Sequence, residues 1–168
     1  SLVYSHDEFH NGATQNAMNA FNARVQAAPE VHEVVEWMAT FYAYTNSTQP
    51  QLMQGGVFVP GSASAFGAAM RAFLNYTCAS AADGCTEGTR PNQAFSNQVS
   101  FQPGSDVVQA LRLRATHIRF ASSEEQGDCM LAMQALAESA EGFQTQPFLY
   151  SEYYIYWHQY TIIVSQLY

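Results

Sequence analysis

Two alternating segments, FSNQVSF at 95–101 and LRLRATHIRF at 111–120, flank the sequence PGSD at 103–106. In both segments apolar residues alternate with polar or basic ones, a period of two that is typical of a strand with one buried face. Proline, glycine and aspartate between such segments are typical of a turn, so the three pieces predict a β-hairpin. The alternation changes phase near His117, which a β-bulge or the end of the exposed surface would explain.

Helical patterns lie on both sides of the hairpin. Downstream, Ser122 and Ser123 with Glu125 and Gln126 match a capping box. The helix predicted after them ends near Gly142, and its apolar stripe consists of Cys129, Ala132, Met133, Leu136, Ala140 and Phe143. Upstream, a helix that stops at Pro29 carries an apolar face made of Ala17, Met18, Phe21, Val25 and Ala28.

Two short strands complete the pattern, one at 2–4 and one at 147–150. The order strand, helix, hairpin, helix, strand predicts an α+β fold of the ferredoxin-like type, a split β-α-β sheet (βαββαβ) with its helices on one face. Residues 30–94 would then be a helical insertion. A length of 168 residues predicts one domain, 1–168, with a real hydrophobic core.

Inside the insertion, the spacing of apolar residues predicts a helix over 32–44, although the β-branched sequence VHEVV at 31–35 also fits a short strand. Residues 45–60 contain two prolines and a Gly-Gly pair and are predicted to be loop. A further helix is predicted from Ser64. The small and polar residues of 75–91 predict an exposed loop.

The composition excludes some classes of partner. The chain is 48% hydrophobic and 12% charged, has a formal net charge of −8 and contains no lysine. Nucleic-acid binding needs clustered basic residues, so we expect no nucleic-acid partner, and we expect no basic surface for anionic lipids. No run approaches the ~20 apolar residues of a membrane-spanning helix, and the first residues lack the features of a signal peptide.

Cysteines and sequons favour an oxidising compartment. Cys78 and Cys85 lie seven residues apart across a small, polar loop that could close into a disulfide. Asn46-Ser47-Thr48 and Asn75-Tyr76-Thr77 match the N-glycosylation sequon. Cys129 falls on a helical apolar face and is predicted to be a small buried hydrophobe rather than a reactive thiol.

No motif predicts an enzyme, a metal site or a cofactor. His6 and His10 are four residues apart, but Asp7 stands where the metalloprotease signature has glutamate, and no third ligand is evident. The sequence GSASA at 61–65 only faintly resembles a nucleophile elbow, and no strand is predicted before it. His117 and His158 lie on apolar elements and are predicted to be structural.

The tail of the chain, FLYSEYYIYWHQYTII at 148–163, is its most aromatic part. A short strand is followed by Ser151, which is well placed to cap a helix, and by apolar residues at helical spacing from Tyr153 onward. This predicts a helix over 152–168 that is still apolar where the sequence stops. We therefore expect the chain to be part of a longer protein.

The tail resembles the segment that precedes a transmembrane helix in the second half of the Niemann–Pick type C, Patched and Dispatched transporters, which belong to the resistance–nodulation–division superfamily. The matching positions are Phe148, Tyr150, Ser151, Tyr153, Tyr156, Trp157, Gln159 and Tyr160. Leu149 replaces the usual proline and His158 the usual glutamate, so a pairing made by that glutamate is not carried over. The hairpin and the helix after it resemble the family in order and spacing, whereas 46–94 matches least.

The resemblance implies the second extracytoplasmic domain of a membrane protein that moves sterols or other lipids, or a Patched-like receptor. Its fold would be ferredoxin-like, its address luminal or extracellular, and 152–168 a membrane-proximal helix. Its partners would be the first extracytoplasmic domain and the transmembrane half of the same protein, with a sterol or lipid as substrate. The alternative is a free-standing ferredoxin-like domain that binds a protein partner or an apolar ligand.

Overall fold

The computed structural model describes residues 1–5, 8–80 and 84–151 of the chain. The α-helices are α1 (Gly12–Gln26), α2 (Trp37–Thr48), α3 (Ala63–Leu74) and α4 (Ser123–Glu138), and 3₁₀ helices lie at Pro50–Leu52 and Pro91–Gln98. The strands are β1 (Leu2–Ser5), β2 (Val31–Val35), β3 (Met53–Gln54), β4 (Val57–Phe58), β5 (Val99–Phe101), β6 (Val108–His117) and β7 (Phe148–Leu149).

The main sheet is assembled on β6. This strand pairs antiparallel with β1 over 110–113, with β5 over 108–111 and with β2 over 114–117. β7 pairs antiparallel with β1, so the strands run in the order β2-β6-β1-β7. β3 and β4 form a separate two-stranded sheet. The fold is therefore α+β with an antiparallel sheet, as the sequence predicts.

One face of the sheet lies against the core. Leu2, Tyr4, Leu111 and Leu113 are fully buried, and the register sets Leu2 opposite Leu113 and Tyr4 opposite Leu111. Helix side chains complete the cluster, including Met18, Phe21 and Val25 of α1 and Cys129, Met133 and Ala137 of α4. The hydroxyl of Tyr4 donates to Oδ1 of Asn22 at 2.5 Å, so this buried polar group is satisfied.

The predicted hairpin is confirmed, but its first strand is shorter than the sequence suggests. β5 begins only at Val99, because residues Pro91–Gln98 form a 3₁₀ helix that starts with proline, whose fixed φ suits a first helical position. Phe95 therefore lies outside the strand. Its ring stacks on Trp37 with centroids 6.0 Å apart.

The capping box at the start of α4 is confirmed. The side chain of Ser122 accepts a hydrogen bond from the backbone N–H of Glu125 at 3.2 Å. The carboxylate of Glu125 accepts in turn from the N–H of Ala121 at 2.8 Å. One of these N–H groups, that of Glu125, is left unpaired by the helix, and the other belongs to Ala121, just before the cap residue.

The helix predicted over 32–44 is wrong in its first part. Residues Val31–Val35 form β2, and the helix begins at Trp37. Because β2 is a strand of the main sheet, the insertion predicted over 30–94 is also wrong at its start. These β-branched residues form a strand because Val34 is buried in the core and pairs with Ala115 of β6. The register shifts between Val31 and Glu33, so the bulge lies in β2, and β6 itself ends at His117.

The loop predicted over 45–60 is also wrong in part, since α2 continues to Thr48 and β3 and β4 form a hairpin. Gln15 of α1 holds this hairpin in place. Its side-chain amide donates to the carbonyls of Phe9 and Phe58, and its Oε1 accepts from the N–H of Phe58 at 3.0 Å. Gln15 is fully buried, so it pairs with β4 in place of a neighbouring strand.

α3 docks against the turn between β5 and β6 at very short range. A Cβ atom on Gly67 would lie 1.3 Å from the carbonyl oxygen of Asp106, so only glycine fits. One turn later Nε of Arg71 donates to Oδ1 of Asp106 at 2.6 Å, and its Nη2 donates to the carbonyl of Ser105 at 2.8 Å. The same guanidinium lies 3.9 Å from the ring centroid of Phe101.

We predict that Gly67→Ala lowers the free energy of unfolding by about 3 kcal/mol, in the upper part of the range for overpacked cores. Helix propensity alone would raise the free energy of unfolding by about 1 kcal/mol for the same change. The sign of the measured change therefore shows whether overpacking or helix propensity dominates. Chemical denaturation measures the difference. Ala68→Gly, at an exposed position of the same helix, is the matched control for propensity. A Gly67→Ala protein as stable as the wild type would contradict the close approach.

Candidate functional site

The strand register places Val3, Val35, Arg112, Arg114 and Phe148 on the face of the sheet that is turned away from the core. Val3 is opposite both Arg112 and Phe148, and Val35 is opposite Arg114. Directly opposed residues of antiparallel strands point to the same side, and Arg112 and Arg114 are two residues apart on β6. We call these five residues the open face.

The open face combines exposed apolar side chains with positive charge. Val35 is 38% exposed, Phe148 48% and Tyr150, just beyond β7, 55%. Arg114 is exposed as well. Val35 and Phe148 lie on the two opposite edge strands, β2 and β7, so the exposed apolar side chains flank the two arginines of β6.

Arg112 is oriented by its neighbours. Its Nε donates to Oε1 of Gln98 at 3.0 Å, and its backbone carbonyl accepts from the indole N–H of Trp37 at 2.9 Å. Among the described residues the ion pair found in the structure is Arg71 with Asp106. Neither Arg112 nor Arg114 forms an ion pair within this part of the chain, although Glu33, two residues before Val35 on β2, is exposed on the same side of the sheet.

A small cleft opens at the end of the open face where β2 and β6 meet the second 3₁₀ helix. It has a volume of about 170 Å³ and is lined by Val35, Trp37, Ala94, Phe95, Gln98 and Arg114. Sites for small organic ligands usually have about 300–1,000 Å³. The cleft is therefore the right size for one side chain of a partner rather than for a whole ligand.

His117 and Cys129 meet in the structure, but their chemistry is not that of a catalytic pair. Sγ of Cys129 lies 3.5 Å from Nδ1 of His117, and the same nitrogen lies 3.3 Å from the carbonyl of Glu30. Burial raises the pKa of the Cys129 thiol to about 11 and lowers the pKa of His117. Both groups are thus neutral near pH 7, whereas a nucleophilic cysteine needs a depressed pKa.

The predicted disulfide is confirmed: Cys78 and Cys85 are bonded, with an S–S distance of 2.05 Å. Hydrogen bonds hold the loop beside it, from the N–H of Cys78 to the carbonyl of Thr89 at 2.8 Å and from the N–H of Gly88 to the carbonyl of Cys78 at 2.9 Å. Cys129 is free and buried, as predicted. Asn46 in α2 and Asn75 after α3 are both exposed.

Other predicted residues fall partly outside the described parts of the chain. Within those parts no group of three or more metal-ligating side chains is found; His10 is included in them and His6 is not. Of the tail motif, Phe148, Tyr150 and Ser151 are described. The helix predicted over 152–168 lies outside, with the motif residues Tyr153, Tyr156, Trp157, Gln159 and Tyr160.

Across the described ranges, no helix is both long enough and apolar enough to span a bilayer. Comparison with known proteins gives no relative: no family model matches the chain, and neither a curated protein nor a solved structure matches it. The family resemblance of the tail and hairpin thus rests on the sequence motifs alone.

Sequence reasoning did not find the open face as a site. The signal was present in the alternation of Leu111 and Leu113 with two arginines, which shows that β6 has an outward side. Val3, Val35 and Phe148 are placed on that side only by strand pairing, which the sequence does not give. The cleft beside Trp37 depends on a 3₁₀ helix, whereas the spacing of Phe95 and Val99 predicts a strand there.

We predict that Cys129 of the native protein does not react with iodoacetamide at pH 8 and reacts fully in denaturant. The thiol is 1% exposed, and its raised pKa of about 11 leaves little thiolate at pH 8. Mass spectrometry of the labelled, unreduced protein measures this, because Cys78 and Cys85 are already bonded. Stoichiometric labelling of the native protein at pH 8 would show that the site opens or that the thiol is activated.

Proposed function

We propose that this chain is an extracytoplasmic domain of a resistance–nodulation–division superfamily transporter or receptor resembling Niemann–Pick type C, Patched and Dispatched. The open face would be its contact surface with the equivalent domain of the other half of the protein, and together the two domains would enclose the route of a sterol or other lipid. The observation that carries the proposal is the combination of exposed apolar residues and two arginines on one side of the sheet.

The strand order supports a ferredoxin-like domain. β1 and β2 both run antiparallel to β6, which lies between them, and α1 connects the two. β6 and β7 likewise both run antiparallel to β1, which lies between them, and α4 connects these. Two interleaved split β-α-β units are the basis of that fold. α2, the small hairpin and α3 then form the insertion between β2 and β5.

The charge on the open face supports a protein partner. The chain as a whole has a net charge of −8, yet Arg114 is opposite Val35, and Arg112 is opposite Val3, which lies between it and Phe148. Arginine and aromatic residues are enriched in protein interfaces, and a positive patch on an acidic protein steers an acidic partner surface to one side. The small cleft beside Trp37 would receive one side chain of that partner.

The alternative, a free-standing ferredoxin-like domain with a separate partner, would use the same open face. The longer reading frame separates the two proposals. Hydrophobic spans of about 20 residues encoded directly before and after this segment would support the transporter, and a frame without them would leave the free-standing domain.

We predict that a photoreactive benzoyl-phenylalanine at position 148 of the full-length protein, irradiated in its native membranes, crosslinks to the same polypeptide outside residues 1–168. Leu131 of α4, which is 49% exposed and thus similar to Phe148 at 48%, is the matched control position. Peptide mapping by mass spectrometry identifies the crosslinked segment.

Reversing the charge with Arg112→Glu and Arg114→Glu should lower the yield from position 148 at least about tenfold, since interfacial charge pairs are worth 1.5 kcal/mol or more. Crosslinks to a separate protein would support the alternative. A yield at position 148 no higher than at position 131 would mean that the open face is not the contact surface.

A further inference from the structure

A second surface lies between α2 and the disulfide. It is a groove of about 440 Å³ whose walls include Tyr44, Ser47 and Thr48 of α2, Tyr76 after α3, and Cys85 and Pro91 beyond the disulfide loop. This volume falls within the ~300–1,000 Å³ usual for ligand sites. We refer to it as the tyrosine groove.

Both sequons border the tyrosine groove. Ser47 and Thr48 belong to the sequon of Asn46, and Tyr76 belongs to the sequon of Asn75. The sequence alone gives no reason for this, because 46 and 75 lie on different helices. Their meeting at one groove is a result of the packing of α2 on α3.

The lining of the groove has the chemistry that a sugar ring needs. The rings of Tyr44 and Tyr76 are 5.8 Å apart between centroids and inclined by 63°, so they meet edge to face, and both residues are half-buried. An aromatic face offers an apolar surface, and Tyr, Ser and Thr also carry hydroxyl groups. A pyranose ring likewise has apolar C–H faces and a rim of hydroxyls.

The two asparagines differ in their position relative to the groove. The α2 residues that line it, Thr40, Ala43, Tyr44, Ser47 and Thr48, follow the spacing of a single helix face. Asn46 is two residues from Tyr44 and from Thr48, a separation that directs side chains to different sides of a helix. A glycan on Asn46 would therefore start away from the groove.

Asn75 is the chain neighbour of a groove residue, Tyr76. It ends α3 as the C-terminal cap, it directly precedes Tyr76, and its Nδ2 donates to the carbonyl of Arg71 at 3.0 Å. Nδ2 is the atom to which an N-linked glycan is attached, and it keeps one hydrogen after attachment. The bond to Arg71 can therefore persist and hold the first sugar beside Tyr76.

We propose that Asn75 carries an N-linked glycan whose first N-acetylglucosamine residues lie in the tyrosine groove against Tyr44 and Tyr76. In the attachment step Nδ2 bonds to the anomeric carbon of the sugar donor, an oligosaccharide linked to lipid diphosphate in the host, and the lipid diphosphate leaves as Nδ2 gives up one proton. The groove then binds the sugar only in the folded protein, which stabilises the fold. This inference requires a secretory compartment and does not rest on the transporter proposal.

The test uses the wild type, Asn46→Gln and Asn75→Gln, each made in a secretory host. The intact mass of each protein, measured before and after treatment with peptide-N-glycosidase F, gives the occupancy of each sequon. In the wild type and in Asn46→Gln, NMR should detect contacts between N-acetylglucosamine protons and the rings of Tyr44 and Tyr76. Thr77→Ala, which removes the sequon but keeps Asn75 and Tyr76, should lower the Tm of the Asn46→Gln protein by about 2–4 °C, a shift typical of a modest loss in a chain of this size.

Tyr44→Ala is the matched variant, because it keeps both sequons while it removes one of the two tyrosine rings. Glycosylation at Asn75 should not raise the Tm of this variant. Tyr76→Ala, which leaves Asn75-x-Thr77 intact, replaces it if that protein does not fold. An unoccupied Asn75, absent sugar–tyrosine contacts, or an equal Tm loss in wild type and Tyr44→Ala would overturn the proposal.

A last arm identifies the source of the sugar. The Asn75→Gln protein is titrated with free N,N′-diacetylchitobiose. Ring contacts seen only with this added sugar, and not from the attached glycan, would overturn the proposal and assign the groove to a sugar carried by another molecule. No outcome here depends on the transporter proposal.

Discussion

The alternation of leucine and arginine along β6 is the constraint on which the sheet depends. Leu111 and Leu113 are fully buried, and Arg114 is exposed on the opposite side. A shift of one residue in the pairing with β1 would bury the guanidinium groups and expose the leucines. Each exposed leucine would cost about 2 kcal/mol, and an unpaired buried charge about 3–5 kcal/mol, so one register is strongly preferred. β1, β2 and β5 take their inward and outward faces from this register, and so does the open face.

The sequence predictions are accurate where the interacting residues are close in sequence and fail where they are distant. The cap at Ser122, the turn of the hairpin and the Cys78–Cys85 pair depend on residues close in sequence, and all three are found. Residues 31–35 were misassigned because their valines fit helical spacing until β6, about 80 residues away, supplies a strand partner. The hairpin of β3 and β4 was not predicted for the same reason: its hydrogen-bond partner, the side chain of Gln15, is distant in sequence. The open face could be anticipated on β6 but not on its neighbours.

The insertion is joined to the sheet by a row of aromatic rings. Phe95 stacks on Trp37, and Trp37 on Phe73 at 6.4 Å; Phe73 contacts Tyr44 at 5.6 Å, and Tyr44 contacts Tyr76. Phe95 and Trp37 line the cleft at the open face, whereas Tyr44 and Tyr76 line the tyrosine groove. Aromatic pairs of this kind add about 0.5–1.5 kcal/mol each beyond the burial of their area. The row therefore fixes the two surfaces relative to each other.

This arrangement separates what holds the protein together from what it can recognise. Gly67, Gln15 and Trp37 hold α3, the small hairpin and α2 against the rest of the fold. Arg114 and Phe148 on one side and Asn75 and Tyr76 on the other are exposed or half-buried ends of the same framework, so each surface can change without the other. Cys129, which is buried, and His117, which is half-buried, meet within this framework. Shape, apolar area and charge are the properties that the open face and the tyrosine groove present to their surroundings.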